Sequence, residues 1–228
     1  MNILLFTLEY PPFKGGIANY YGNLVGRWPI SVKTPTDKSD DVFVLHNNDG
    51  KLIKEWLWPK WLPAIWCLYK IIKNEKIDHV IVGHILPLGV ATLIVSKFTK
   101  TSYSVVLHGM DLNYAQKTSR KRNLARKTLV KAKNIICTNS FVKKATEDFL
   151  NNQAGSKLFI VNPGIEGNVI IKKEIIEDIK NKHNLSGKMV LFSIGRLVKR
   201  KGFDNVIRAM PEILQSNPYL YYFIRSEE

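Results

Sequence analysis

Short apolar runs alternate along this chain with stretches whose apolar residues recur every three or four positions. An apolar run over 2–8 predicts a first strand. Residues 9–16, Glu-Tyr-Pro-Pro-Phe-Lys-Gly-Gly, predict a loop, because two prolines and two glycines interrupt regular structure. Ile17, Tyr20, Tyr21, Leu24 and Val25 then fall at helical spacing, which predicts a helix over 17–27. Strands are predicted at 42–46, 80–82, 102–107, 134–138 and 158–161, with helices at 56–74, 87–98, 117–132 and 140–150 between them. Such alternation argues for an α/β fold built on a parallel sheet. The pattern breaks at Asn162-Pro163-Gly164-Ile165-Glu166-Gly167, which divides the chain into domains 1–165 and 166–228. Beyond the break, a helix at 175–183, a strand at 189–194, a helix at 203–214 and a strand at 219–224 begin a second α/β unit. Roughly 60 residues is small for a doubly wound domain. The second, Rossmann-like domain is therefore expected to be incomplete.

Composition narrows the function classes. At 228 residues the chain can bury a core, and its balance of charged and apolar residues is that of a globular protein. Cys67 and Cys137 both sit in apolar runs, as buried thiols of a reducing compartment would. The N-terminus lacks a basic n-region and a cleavage site, and no run reaches the ~18 apolar residues of a membrane span. A cytoplasmic location is expected, with peripheral contact at the inner membrane face. The formal net charge is +15, and residues 112–146 contain no Asp or Glu. That excess suits an anionic partner, or a helix face that is simply solvated. Trp56, Trp58, Trp61 and Trp66 crowd one segment with lysines around them, either as an aromatic core helix or as an interfacial one. No aromatic–basic interleaving supports nucleic acid as the partner.

Candidate chemistry gathers at the ends of the predicted strands, where open α/β sheets bind ligands. Gly15-Gly16 follows the first strand and precedes a helix. It is either a tight turn or a place where backbone approaches a phosphate or sugar. A G-x-G-x-x-G fingerprint is absent. His108-Gly109-Met110-Asp111 follows another strand. His108 either hydrogen-bonds a sugar hydroxyl or packs beneath a turn that Asp111 caps. His84 sits similarly, at the end of 80–83, and there a packed, structural histidine is the expected role. Neither a metal-ligand spacing nor a nucleophile–base arrangement appears. The strongest pair is Arg196 and Lys201, on a glycine-bounded loop, Gly195 to Gly202, between a strand and a helix. Exposed N–H groups, a helix N-terminus and two cations can hold a diphosphate there.

These segments, in order, resemble the family 4 glycosyltransferases. The matching stretches are Glu9-Tyr10-Pro11-Pro12 with Gly15-Gly16, Gly83-His84 with Pro87-Leu88-Gly89, and His108-Gly109-Met110-Asp111. Asn139-Ser140, Asn162-Pro163-Gly164-Ile165 and Gly195-Arg196-Leu197 with Lys201-Gly202-Phe203 complete the set. The resemblance covers nearly the whole chain. It implies a GT-B fold of two facing Rossmann-like domains and retaining transfer of a sugar from a nucleotide-sugar donor, with no metal or other cofactor. It also implies a lipid-linked or polysaccharide acceptor and an acceptor-side domain over 1–165. His108 would lie by the transferred sugar, Gly15 and Gly16 against the donor, and Arg196 and Lys201 on its diphosphate. Glu9, His84 and Asp111 are candidate acceptor-side residues. The family's later E-x7-E glutamate pair has no counterpart, and Glu227 and Glu228 cannot supply it. The chain is therefore expected to be truncated and inactive alone. The alternatives are a non-catalytic sugar- or lipid-docking module, or half of a split enzyme.

Overall fold

The structure is a computed structural model that describes residues 1–28, 42–164 and 171–226. The chain divides into two compact units, Met1–Ile165 and Glu166–Glu228. Of the expected hinge, Ile165, Glu166 and Gly167 lie outside the described residues, as do Glu227 and Glu228.

The first unit runs β1 (Ile3–Phe6), α1 (Gly16–Gly26), β2 (Val42–Leu45), α2 (Leu62–Asn74), β3 (His79–Val82), α3 (Val90–Thr99), β4 (Ser102–Leu107), α4 (Met110–Ala115), α5 (Ser119–Lys131), β5 (Asn134–Cys137), α6 (Ser140–Phe149) and β6 (Leu158–Ile160). All six strands pair in parallel, in the order β2-β1-β3-β4-β5-β6. This is the Rossmann-like α/β sheet expected. The winding reverses at β1, whose two neighbours are β2 and β3, so a topological switch point opens at the carboxyl ends of β1 and β3.

Alternation along the strands sorts side chains onto two faces. Leu4, Phe6, Val80, Val82, Val105, Leu107 and Ile135 pack with Leu68, Ala91, Leu129 and Val142, from α2, α3, α5 and α6. Ile3, Leu5, Ile81 and Val106 face the other way and are covered by Tyr20 and Tyr21 of α1. Local signals set several helix starts. Thr118 accepts from the Lys121 N–H at α5, and Asn139 Oδ1 accepts from the Val142 N–H at α6. Two helix starts are corrected. The helix expected over 56–74 starts only at Leu62, with Pro63 in its first turn, where a missing N–H is tolerated. Trp56 and Trp58 therefore lie on a preceding turn, each 80% exposed. The helix expected from Pro87 is regular only from Val90, after a wider turn at Ile85–Gly89. The short α4 was not anticipated.

The second unit contains α7 (Lys173–Lys182), β7 (Met189–Ile194), α8 (Phe203–Ser216) and β8 (Leu220–Arg225). β7 and β8 pair in parallel as a two-stranded sheet, from Met189 against Leu220 to Ile194 against Arg225. Among its described residues only Leu220 is a buried hydrophobic.

Candidate functional site

Parity along three strands builds a polar cluster at the switch point. In β1 the residues facing α1 are Ile3 and Leu5, and the next in phase is Thr7. In β3 Ile81 is followed by Gly83, and in β4 Val106 is followed by His108. The apolar sheet face thus turns polar one step past the strand ends, beneath α1. Tyr21 reaches into that step. Its hydroxyl donates to the Gly83 carbonyl at 3.0 Å and meets His108 Nε2 at 2.8 Å. A phenol has one proton, and the carbonyl can only accept. Tyr21 Oη must therefore accept from His108 Nε2–H, which leaves Nδ1 as the acceptor nitrogen of the ring. The rings of Tyr20 and Tyr21 stand edge-on to the imidazole, at 5.2 and 5.4 Å between centroids. The His108 backbone N–H donates to Asp111 Oδ2 at 2.8 Å.

Electrostatics follow from this packing. Burial pulls His108 down to about 4, so it is neutral at pH 7. His84 is also lowered to about 4, by burial first and then by His108. Its Nδ1 faces the Leu8 N–H at 3.4 Å, at the start of the loop after β1. Burial raises Asp111, and Glu9 raises it further, against the two backbone N–H groups that hold its charge. Burial also holds Tyr21 well above its ordinary value, which keeps its proton available to Gly83. Glu9 is tied to the cluster through Thr7, whose hydroxyl donates to the Glu9 carbonyl at 3.1 Å.

Sterics explain Gly83 and separate the two loop glycines. A Cβ on Gly83 would sit 2.8 Å from both Thr7 Oγ1 and Tyr21 Oη, which are essentially prohibited contacts. A Cβ on Gly15 would meet a Phe13 ring carbon at 3.3 Å and Glu9 Oε2 at 3.4 Å. At Gly16 it would meet nothing within 4 Å. Gly16 thus opens outward at the first turn of α1, and the protein makes no internal use of its missing side chain.

His108, His84, Asp111, Glu9 and Gly15 therefore come together around the ends of β1, β3 and β4. Sequence reasoning missed Tyr21, Thr7 and the steric role of Gly83. Tyr21 reads as one more member of the α1 apolar stripe, and only the pairing of adjacent tyrosines hinted at polar tips. Among the described residues, no three His, Cys, Asp or Glu side chains gather into a group that could hold a metal ion.

Arg196 and Lys201 belong to the second unit. β7 ends at Ile194, and the Gly195 N–H donates to the Arg225 carbonyl at 2.9 Å. Gly195 has φ 146° and Gly202 has φ 71°, both in the region that favours glycine. Between them lies a single tight turn, Lys199–Lys201. The Lys201 side chain folds back over Gly195, where a Cβ would lie 3.5 Å from Lys201 Cε and 3.7 Å from Nζ. Gly202 then leads into α8. Arg196 and Lys201 are both exposed. The loop thus sets a lysine ammonium over a strand end, two residues before a helix of 14 residues.

No family model matches the chain, and no curated protein matches it in sequence. Solved structures do match it in fold. HepE (Alr3699) of Anabaena, in complex with UDP, superposes with a TM-score of 0.68 at 13% identity, over 99% of this chain and 70% of that one. A glycosyltransferase of Rickettsia africae gives 0.63 at 15% identity, over 99% and 69%. A UDP-GlcNAc 2-epimerase of Neisseria meningitidis, bound to UDP-GlcNAc, gives 0.50 at 12% identity, over 100% and 66%. In other HepE complexes, with UDP and glucose and with UDP-glucose, the chain spans 60% of the matched length. At these identities the likeness is one of fold, the Rossmann-like α/β architecture of GT-B proteins, which transferases and epimerases share.

Proposed function

We propose that this chain is the acceptor-side domain and the first part of the donor domain of a retaining, family 4-like glycosyltransferase. It would use a nucleotide-sugar donor and a lipid-linked or polysaccharide acceptor. Because the chain spans only part of the matched structures, the activity is proposed for the enzyme as a whole. The observation that carries this reading is His108, a buried neutral imidazole fixed by Tyr21 and the Asp111 turn at the carboxyl ends of a parallel sheet, with the open Gly16 heading the helix that carries Tyr21. That is where such sheets take sugars and phosphates. Solved structures of the same fold bound to UDP and UDP-glucose support it.

The chemistry would run as follows. The bond between the sugar's anomeric carbon and the diphosphate breaks, and the nucleoside diphosphate leaves with the electron pair. The acceptor hydroxyl forms the new bond to the anomeric carbon and passes its proton to an oxygen of the departing diphosphate. Negative charge grows on the diphosphate, and Arg196 and Lys201 would stabilise that charge more in the transition state than in the ground state. His108 Nδ1 would accept a hydrogen bond from a hydroxyl of the transferred sugar, which a neutral ring can do at pH 7.

The test is titration of the full chain with UDP and with uridine, followed by calorimetry. UDP should bind at least about tenfold tighter, the value of one or two charge-assisted contacts. Arg196→Ala and Lys201→Ala should remove that advantage. Equal binding of UDP and uridine would overturn the diphosphate reading.

A further inference from the structure

On the face of the sheet opposite α1, helix α3 separates two grooves of contrary character. One flank of α3 meets α2 in an apolar groove of ≈ 460 Å³, lined by Leu62, Ile65, Trp66, Tyr69, Ile94 and Phe98. Its walls are not closed over, since Trp66 is 60% and Phe98 76% exposed. The other flank of α3 borders a groove of ≈ 400 Å³ carrying Lys97, Lys100, Lys131 and Lys133, with Thr101 and Ser102. That second groove lies where chain enters β4 and β5, at the amino ends of the strands. The cluster around His108 lies at their carboxyl ends. Neither groove was needed to explain the candidate site.

The two grooves read as one surface. α2, α3 and α5 contain no Asp or Glu, so none of these three helices offsets the four lysines; the acidic residue beside the groove is Asp78, whose carbonyl accepts from Ser102 Oγ. Lys70 Nζ sits 5.0 Å over the Trp66 ring, and the guanidinium of Arg120 lies 5.8 Å over Trp58, so cations also overhang the exposed indoles. Exposed Trp and Tyr rings, aliphatic side chains between them and an excess of lysines alongside match the layering of a bilayer surface. Acyl chains would meet Leu62, Ile65 and Phe98, the boundary zone would take Trp66 and Tyr69, and anionic headgroups would take the lysines. Nucleic acid fits the lysines but would leave the Leu–Ile–Phe stripe unmatched. Among the described residues no helix is long and apolar enough to cross a membrane, so such contact would be made by lying on the surface.

We propose that the α2–α3 apolar groove and the adjoining four-lysine groove together form a docking surface for an anionic phospholipid bilayer. The proposal is independent of the transferase reading, because it uses none of the residues assigned to sugar or diphosphate.

The test is co-sedimentation of the full chain with phosphatidylcholine vesicles, with and without a third of phosphatidylglycerol. Tryptophan emission is followed in parallel. Binding should need the anionic lipid, weaken with added salt and shift tryptophan emission to the blue. Trp66→Ser with Phe98→Ser, and separately Lys97→Gln with Lys131→Gln, should each lower vesicle affinity about tenfold or more. All four residues are exposed, so unchanged melting would confirm folded variants. Equal binding to neutral and anionic vesicles overturns the proposal, as does wild-type affinity in both folded double variants. Concentration-dependent dimerisation that the Trp66/Phe98 variant abolishes, with vesicle binding unchanged, would assign the groove to a second copy instead and overturn it too.

Discussion

β4 and β7 are both six-residue, largely apolar strands, Ser102-Tyr-Ser-Val-Val-Leu107 and Met189-Val-Leu-Phe-Ser-Ile194, yet they end in different surroundings. β4 has a strand on each side and helices over both faces, and Leu107 is 0% exposed. β7 has one partner strand, and Leu191 is 39% and Phe192 54% exposed. The helices differ similarly. α2 buries Ala64, Leu68 and Ile72, whereas α7 leaves Ile175, Ile176 and Ile179 at 41–50% exposure. Burial is therefore a property of the neighbours a strand or helix finds, and not of its apolar content. The first unit has enough layers to hold buried histidines neutral. In the second, the candidate cations stand in solvent.

The sharpest test of this contrast is a matched pair of truncations. Leu107→Ala should cost the first unit about 2–5 kcal/mol, and Leu191→Ala should cost about 1 kcal/mol or less, read by denaturant unfolding with hydrogen exchange on β4 and β7. Equal losses would erase the distinction.

Acid should act on the first unit next. His84 and His108 have folded values near 4 against an ordinary 6.5, so the unfolded chain binds more protons between those limits. Their contribution to stability is fully present above about pH 6.5 and is lost as pH falls through that window, on the order of 3 kcal/mol for His84. Asp111, raised by burial, works in the opposite sense and trims the loss. Unfolding at pH 7 and pH 4.5 measures it, and a first unit equally stable at both would break the account.

Tyr21→Phe should cost about 1–2 kcal/mol, since it strands the Gly83 carbonyl and His108 Nε2–H together. It should also release the imidazole from its single tautomer, visible in the nitrogen resonances of His108. An unchanged tautomer would remove Tyr21 from the site. The smallest effect belongs to Gly16→Ala. Its Cβ meets nothing and sits in a helix, so stability should stay level or rise by up to about 1 kcal/mol. UDP affinity should nonetheless fall if a donor approaches there, and unaltered affinity would return Gly16 to an ordinary turn.

Much of this was legible in the residues. Strand-end placement singled out His108 and the Gly195–Gly202 loop, and the order of apolar runs implied a parallel α/β sheet. The helix boundary near Trp56 was misjudged because periodicity continues through Pro59, while backbone geometry stops at Leu62. Tyr21 was invisible for a different reason. Its role depends on partners 62 and 87 residues away.

The amino-acid sequence by itself determined the alternation of strands and helices, the glycines at the turns and the excess of positive charge. These depend on neighbours within a few positions. Only the tertiary structure decided which strands adjoin, where the winding reverses, that Thr7, Gly83 and His108 share a face beneath Tyr21, and that lysines of α3 and α5 line one groove. Those facts come from register and packing between distant segments. The same packing sets how far water is excluded, and so whether an imidazole such as His108 is neutral at pH 7.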